Sequence, residues 1–234
     1  IQRLAEKFEL YIIEDNAQSI GADYMMPNGS KHKSGTLGHI GATSFFPSKN
    51  LGGYGDGGAL VTDDDRLAER IRSICNHGST KRYHHDHVGV NSRLDTIQAH
   101  VLNVKLRYLD QYIQQRVQAA NRYDELLKDI DGVHSPFRAS FTTHVFHQYT
   151  LRVSSKHRDD IVDHFSKVGL PCGVYYPIPL HIQDAYQEFG YKKGDFPQAE
   201  QAAEEVISLP MHTELTADQQ EYIVDQIQSC ISSS

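Results

Sequence analysis

The sequence predicts an α/β protein, in which a sheet of mostly parallel strands precedes a smaller α+β region. Short apolar runs alternate with helical patterns in the first half of the chain, and this alternation is typical of parallel sheets whose strands are joined by helices. The pattern changes after Asp131-Gly132, where a strand is the next clear element. We therefore predict one domain over 1–130 and a smaller domain over 131–234.

Composition limits the function classes. The chain has 234 residues, 39% hydrophobic and 23% charged, which is ordinary for a globular protein with a real core. Its net charge of −7 argues against nucleic-acid binding, and its apolar runs are too short for a membrane span. Three widely spaced cysteines indicate reduced thiols and a cytoplasmic protein. Because Ile1 already lies in a helical pattern, we expect a fragment or processed form.

The elements of the first half follow from periodicity and turn residues. Apolar positions 1, 4, 5 and 8 share a helix face, and short apolar runs ending in polar or glycine-rich turns predict strands. Thr62 with Asp65 resembles a capping box. The predicted order is helix 1–8, strand 10–14, loop 21–38 with a turn at 25–29, strand 41–46, strand 58–62 and a helix that ends near Cys75.

The second half is assigned in the same way. Residues 76–92 are rich in histidine and predicted to be irregular, and a leucine-rich stripe predicts a helical stretch over 94–127 with a bend near Leu109-Asp110. The stripe contains Leu102, Leu106, Leu109 and Ile113. The remaining predictions are strand 146–153, a helix from a Ser155 cap to Gly169, an extended segment 175–179, helix 199–207 and a last helix opened by the capping box Thr216 and Gln219.

Lys49 is the first candidate for chemistry. It follows an apolar strand and precedes a loop of unusually many glycines, while Asp15 ends the first strand. Ligands of open α/β sheets bind beyond the carboxyl ends of strands. A lysine that can form a Schiff base and a carboxylate that can hold a pyridine nitrogen protonated suit pyridoxal phosphate (PLP). Gln18 and Ser44 could support the same ligand.

Plainer interpretations stand beside these. Lys49 could be a solvated surface lysine, Asp15 a turn cap and Ser44 a turn serine. Arg93, beside Asn91 before a helix, could bind an anion or belong to an ordinary first turn.

Two motifs are set aside. The run 53–58 matches G-x-G-x-x-G, but it precedes a strand instead of joining a strand to a helix, which argues against dinucleotide binding. The run 84–87, His-His-Asp-His, could bind a metal, but its spacing is wrong for a metal-binding pair on a helix, and no matching cysteine or acidic cluster is evident. We expect no metal and a polar loop there, with a histidine-rich metal protein as the remaining alternative.

Taken together, several segments resemble the DegT/StrS-type family of PLP-dependent nucleotide-sugar aminotransferases. The resemblance runs in order over essentially the whole chain, and its joint pattern is specific although no single piece is. The matching segments are 13–22, 38–49, 55–58, 89–95, 176–181, 194–197 and 208–210.

The resemblance implies an aspartate-aminotransferase-like fold, with a partial large domain and a small C-terminal domain, in a homodimer. By position it implies that Lys49 forms the Schiff base, Asp15 holds the pyridine nitrogen, Gln18 lies against the cofactor ring and Ser44 binds the phosphate. It further implies that Asn91 reaches the partner's cofactor and that His181 and Arg93 serve the substrate. Related dehydratases carry a histidine in place of Lys49, so Lys49 favours transamination.

The implied reaction moves an amino group from an amino acid, typically glutamate, to a keto group of a nucleotide-linked sugar. The sequences of segments 44–51 and 175–181 look most like those of family members that act on 3-keto sugars, including sugars used for surface polysaccharide. The resemblance also implies that the family's N-terminal part lies outside this chain. The alternative is therefore a catalytically incompetent, truncated fragment that only binds PLP or dimerises.

Overall fold

The computed structural model describes residues 1–232, in which the chain forms two compact units. The first unit comprises Ile1–Gln114 and Arg138–His147, and the second comprises Gln115–Phe137 and the chain from Gln148 onward. The division into domains 1–130 and 131–234 stays a prediction.

The first unit contains most of the predicted elements, with shorter strands than expected. Its helices and strands are α1 (Gln2–Phe8), β1 (Ile13–Asp15), β2 (Asp23–Met25), β3 (Lys31–Lys33), β4 (Ile40–Ser44), β5 (Gly58–Val61), α2 (Asp65–Cys75), β6 (Ser79–Lys81), β7 (His84–His85), α3 (Thr96–Leu106) and the start of α4 (Leu109–Leu127).

Strands β1, β4 and β5 form the sheet that matters most for the site. β4 lies in the middle and pairs in parallel with β1, so that Ile13 faces Ile40 and Asp15 faces Ala42. On its other side β4 pairs antiparallel with β5, with Ser44 opposite Gly58. The mixed helix and strand content confirms the α/β class, but the expectation of mostly parallel strands is wrong. β5 follows β4 through the loop 45–57 and runs back beside it, so that this pair is antiparallel.

Glu14 ties the sheet to the segment that leads into β4. Its carboxylate accepts hydrogen bonds from the backbone N–H groups of Gly35 at 2.8 Å, Leu37 at 2.5 Å and Gly38 at 2.7 Å. Backbone donors that would otherwise lack partners are thus satisfied by one side chain. Gly41 packs against the same turn so closely that a Cβ would lie 2.0 Å from the carbonyl oxygen of Gly35.

Two regions predicted as loops contain hairpins. Within 21–38, β2 and β3 pair antiparallel around the predicted turn, and the Asp23 carboxylate lies 2.8 Å from the amines of both Lys31 and Lys33. Within 76–92, β6 and β7 pair around Tyr83, which has a positive φ of 66°. Polar side chains hide both hairpins from a search for apolar alternation, because ladder hydrogen bonds and not burial hold them.

The predicted bend near Leu109 is a break between α3 and α4 at Arg107–Tyr108. Leu102 and Leu109 are buried and pack with Leu51, whereas Leu106 is 53% exposed. The predicted stripe is therefore only partly buried. Leu102 and Leu106 lie one turn apart in α3, on the same side of the break, so they share a helix face of which only part is covered.

The second unit is built on a three-stranded antiparallel sheet, in the order β10-β9-β8. Its elements are the rest of α4, β8 (Val133–His134), β9 (Tyr149–Val153), α5 (Ser155–Val168), short 3-10 helices at Leu180–Ile182 and Asp184–Phe189, α6 (Pro197–Glu205), β10 (Val206–Leu209) and α7 (Ala217–Ser232). β10 was not predicted. It follows α6 directly, and its first two residues, Val206 and Ile207, were assigned to the predicted helix 199–207.

Buried tyrosines form the centre of the second unit. Tyr123 and Tyr149 are fully buried, with ring centroids 4.9 Å apart. Their hydroxyls are satisfied, since Tyr123 donates to the Pro210 carbonyl at 3.0 Å and Tyr149 donates to Asp124 at 2.5 Å. Burial raises the pKa of Tyr123 well above its ordinary value. Both rings thus add apolar area to the core without leaving a polar atom unpaired.

Helix ends test the capping predictions directly. Thr216 and Gln219 form the predicted capping box, with reciprocal hydrogen bonds of 2.9 and 3.3 Å. Gly169 ends α5 with a φ of 74°, as predicted. The predicted caps Ser155 and Thr62 are wrong. Ser154 occupies the cap position of α5, and Asp64 caps α2 by accepting from the N–H groups of Arg66 at 2.8 Å and Leu67 at 3.2 Å.

None of the helices formed by residues 1–232 combines the length and the apolar character of a membrane span.

The cap of α2 gives a stability test. Asp64→Ala removes the acceptor for two helix N–H groups and should lower the free energy of unfolding by about 1 kcal/mol. Asp65→Ala, one residue along and exposed, is the matched control and should change it much less. Urea denaturation measures both. A larger loss for Thr62→Ala than for Asp64→Ala would contradict this assignment.

Candidate functional site

The carboxyl ends of β1 and β4 lie at one edge of the sheet, because the two strands are parallel and in register. Asp15 is the last residue of β1 and pairs with Ala42 of β4. Ser44 is the last residue of β4, two positions beyond Ala42. The backbone continues the pairing, since the Asn16 N–H donates to the Ala42 carbonyl at 2.7 Å. This edge is where open α/β sheets bind ligands.

Asp15 is exposed, and its carboxylate accepts one hydrogen bond, from the Ala17 N–H at 2.9 Å. A carboxylate with one bond still has free lone pairs for a ligand. The next residue, Asn16, is buried, and its Oδ1 accepts from the hydroxyls of Ser19 and Ser34 at 2.7 Å each. Asn16 was not singled out from the sequence, and it fixes the turn on which Asp15 and Gln18 sit.

Lys49 lies in a tight turn after β4. Its backbone N–H donates to the Phe46 carbonyl at 2.9 Å, and the Gly53 N–H donates to the Phe45 carbonyl at 2.8 Å. A Cβ on Gly52 would lie 2.4 Å from the carbonyl oxygen of Pro47, so only glycine allows this winding. The side chain of Lys49 is half-buried, and its amine makes no hydrogen bond or ion pair within residues 1–232.

Helix α3 holds the glycine loop from the side. The Gln98 Oε1 accepts from the Tyr54 N–H at 2.7 Å, and the Lys105 amine donates to the Gly52 carbonyl at 2.6 Å. A Cβ on Gly53 would lie 2.9 Å from Gln98 Oε1. Sequence reasoning did not identify Gln98 or Lys105, because nothing near them in the chain distinguishes them from surface residues of a helix.

The other predicted residues of the first unit are exposed. Gln18 follows Asp15 on the turn beyond β1. Asn91 forms a backbone bridge with Asn76, and the Arg93 guanidinium donates to the side-chain oxygen of Asn76 at 3.0 Å. The end of α2 therefore positions Asn91 and Arg93 together. Asp15 and Ser44 share the sheet edge, and Lys49 lies on the loop that leaves this edge.

His181 belongs to the second unit, and its side chain is buried and held by a hydrogen bond. Its side chain is 8% exposed, and its Nε2 donates to Glu200 Oε1 at 2.9 Å. Glu200 also accepts from the backbone N–H of Gly194 at 2.7 Å and of Phe196 at 3.4 Å. The Gly194 N–H and the His181 ring hold the pKa of the Glu200 carboxyl below its ordinary value of 4.5, against the opposing effect of burial.

The same residues border an apolar cavity of about 660 Å³ in the second unit. Tyr175, Tyr176 and Phe196 supply aromatic walls, and His181 supplies a polar group. A mostly apolar cleft with few polar groups is the usual form of a small-molecule site. Sequence reasoning selected His181 and missed Glu200, which orients the ring.

The histidines of 84–87 lie in and after β7, and all are exposed. The His85 Nδ1 lies 2.9 Å from the His77 carbonyl oxygen, and the Thr80 hydroxyl donates to Asp86. Within residues 1–232, no group of three or more histidine, cysteine or acidic side chains is placed to hold a metal ion.

The residues at the sheet edge fit a phosphorylated aldehyde cofactor by their chemistry. Within residues 1–232, the Lys49 amine has no partner, the Asp15 carboxylate keeps free lone pairs, and the Ser44 hydroxyl oxygen accepts from the Phe46 N–H alone, at 3.2 Å. Gly52 and Gly58 leave no space for a Cβ, so the backbone itself forms the wall of this region.

Comparisons with known proteins agree with this chemistry. The model of the DegT/DnrJ/EryC1/StrS aminotransferase family matches residues 1–228. The chain is 46% identical, over 97% of its length, to a protein of Geobacillus stearothermophilus named "Pleiotropic regulatory protein". Over 91% of its length it is 44% identical to the UDP-2-acetamido-2-deoxy-3-oxo-D-glucuronate aminotransferase of Pseudomonas aeruginosa.

Solved structures confirm the fold class predicted from the sequence. The crystal structure of DesV from S. venezuelae, in complex with a ketimine intermediate, superposes on 97% of this chain with a TM-score of 0.90 and 38% identity. The chain covers 60% of that structure, and 60% and 56% of the lengths of the two relatives.

The Glu200 carboxyl gives a pH test. Because its folded pKa is lowered, its contribution to stability is present in full above the ordinary value of 4.5 and is lost as the pH falls through the lowered value. The advantage of the wild type over Glu200→Gln should therefore shrink as the pH falls from 7 to about 3. Thermal unfolding measures it. Glu188→Gln, an exposed neighbour, should show no such trend, and a constant difference for Glu200→Gln would contradict the assignment.

Proposed function

The chain belongs to the DegT/DnrJ/EryC1/StrS aminotransferase family, and from that premise we propose that it acts as a PLP-dependent sugar aminotransferase. One observation carries the proposal: the amine of Lys49 has no partner within residues 1–232 and follows the strand β4, whose parallel neighbour β1 ends in Asp15. If Lys49 were an ordinary surface lysine and Asp15 an ordinary turn cap, nothing would require both to lie at the carboxyl ends of two paired strands.

Each residue of the site has a role in this proposal. Lys49 binds the cofactor aldehyde and, once released, moves a proton at the α-carbon of the amino donor. Asp15 holds the proton on the pyridine nitrogen. Ser44 binds the phosphate, and Gln18 lies against the ring. PLP, when bound, supplies the electron sink that makes the donor α-carbon acidic.

The substrates are an amino acid, glutamate in our proposal, and a nucleotide-linked keto sugar. The relative from P. aeruginosa is named for a UDP-linked 3-oxo sugar, which supports a 3-keto sugar. The place in surface-polysaccharide biosynthesis is proposed from the resemblance of segments 44–51 and 175–181. We assign His181 and Arg93 to the substrate. Asn91 would reach the cofactor of the partner subunit in a homodimer, in the cytoplasm.

The alternative function rests on the share of its relatives' length that this chain spans. The chain spans about 60% of the length of the relatives that it matches, so a fragment that binds PLP or dimerises without turnover is the alternative. A Lys49 adduct in a chain that transfers no amino group from glutamate to a UDP-linked 3-keto sugar would favour it.

The catalytic lysine is tested by trapping. The full chain is mixed with PLP, reduced with borohydride and mapped by mass spectrometry, and we expect a phosphopyridoxyl group on Lys49. Lys49→Ala should lose the adduct and reduce turnover by ~10² to 10⁴-fold, since it removes the proton carrier. Lys81→Ala, an exposed lysine of the same unit, should retain both. An adduct that persists in Lys49→Ala would overturn the assignment.

Asp15 is tested separately from Lys49. Asp15→Asn keeps the shape of the side chain but removes the charge that holds the pyridine proton. We expect the Lys49 adduct to persist, while kcat falls on the order of 10²-fold because the developing negative charge loses its stabilisation. Asp56→Asn, an exposed aspartate of the glycine loop, is the control. An unchanged kcat in Asp15→Asn would remove Asp15 from the site.

A further inference from the structure

Asn50, directly after Lys49, is a buried polar residue that the proposed chemistry does not use. It is 6% exposed, and its Nδ2 donates to the carbonyl oxygen of Val145 at 2.9 Å. Val145 lies 95 positions along the chain but within the same unit. The hydrogen bond thus joins the turn that carries Lys49 to a distant segment.

The Oδ1 of Asn50 is buried and has no hydrogen-bond partner within residues 1–232. A buried acceptor without a partner costs free energy, and an apolar residue of the same shape would avoid that cost. Such groups in a folded protein call for an explanation beyond stability. The amide retained at this position therefore indicates that the Nδ2 bond to Val145 is needed.

The far end of this bond is firmly held. Val145 and Phe146 are 2% and 1% exposed, and Phe146 has a left-handed φ of 44°. The His144 Nδ1 accepts from the Phe146 N–H at 3.0 Å, and the two rings stack with centroids 4.1 Å apart. Burial, with the Arg138 guanidinium, lowers the pKa of His144, which keeps its Nδ1 free to accept.

The near end is held by its backbone, by packing and by one bond from α3. Lys49 has its N–H bond to Phe46, Leu51 is 3% exposed in the core cluster, and the Lys105 amine donates to the Gly52 carbonyl at 2.6 Å. That bond holds the far side of the turn, at Gly52. Among residues 48–52, Asn50 is the one whose own side chain donates a hydrogen bond, and it does so directly beside Lys49.

We propose that Asn50 is a positioning residue, and that its hydrogen bond to Val145 clamps the turn so that Lys49 presents its amine in one direction. Its consequence for catalysis rests on the proposed function. The clamp itself does not, because it concerns the geometry of the chain's own backbone. The two can therefore be tested apart.

The cofactor-independent test measures the amine itself. Lys49 of the full chain is acetylated at neutral pH, and its labelling rate is compared by peptide mass spectrometry with that of the exposed Lys156. In Asn50→Ala and Asn50→Leu the Lys49 rate should rise roughly three- to tenfold, the factor expected when one ordinary hydrogen bond is lost. Deuterium exchange of the Lys49 amide should accelerate by a similar factor, while Lys156 stays unchanged.

Asn50→Leu separates positioning from packing, because it keeps the side-chain shape, removes the donor and introduces no charge. If Asn50 served packing alone, Asn50→Leu would label like the wild type. Asn103→Ala is the matched control, since Asn103 is an exposed asparagine of α3 whose side chain makes no hydrogen bond within residues 1–232. Wild-type labelling and exchange in both Asn50 variants would overturn the clamp, and Asn50→Leu alone decides the question if Asn50→Ala fails to fold.

Turnover adds the catalytic readout. With PLP and glutamate, kcat of Asn50→Leu should fall about tenfold or more with KM for glutamate little changed, because a misdirected amine slows proton transfer and not binding. Faster labelling with unchanged kcat would confine the clamp to structure and overturn its positioning role. If the wild type forms no Lys49 adduct, the proposed function fails. The labelling result still decides, without the cofactor, whether Asn50 holds the turn.

Discussion

The parallel pairing of β1 with β4 is the interaction on which the candidate site depends. Its register places Asp15 opposite Ala42 and the last residue of β4 at the same edge. A slip of one strand by one residue would turn its side chains to the other face of the sheet. The Asp15 carboxylate and the Ser44 hydroxyl would then point to opposite faces. Glu14 protects the register, because its carboxylate saturates the backbone donors that lead into β4.

Close backbone approach is the second constraint, and it explains why the Lys49 loop is so rich in glycine. Gly52 and Gly58 lie against carbonyl oxygens at distances that no Cβ tolerates. Larger residues at these two positions would have to displace the backbone. Gln98 and Lys105 hold this arrangement with single hydrogen bonds from outside the loop, and Asn50 holds it with one from the turn to Val145. Rigidity around a reactive group is what preorganisation requires.

Sequence reasoning succeeded where local patterns decide the outcome and failed where distant partners do. The Thr216–Gln219 capping box and the Gly169 terminus are local, and both are confirmed. Leu106 was grouped with Leu102 because both lie on one face of α3, but spacing does not show which residues of a face another element covers. Lys49 and Asp15 were selected from motifs. Glu200 and Asn50 were not, since their partners His181 and Val145 lie 19 and 95 positions away in the chain. Long-range hydrogen bonds leave no spacing signal.

The β2–β3 hairpin has a consequence for labelling this protein. Asp23 fixes its base through ion pairs and through backbone bonds to Thr143, whereas nothing lies within 4 Å of a Cβ on Gly29 at its tip. Doubling the length of such a loop costs only about 0.6 kcal/mol. An epitope or a fluorophore-binding peptide inserted at Gly29 would therefore label the protein while the paired strands β2 and β3 stay in place.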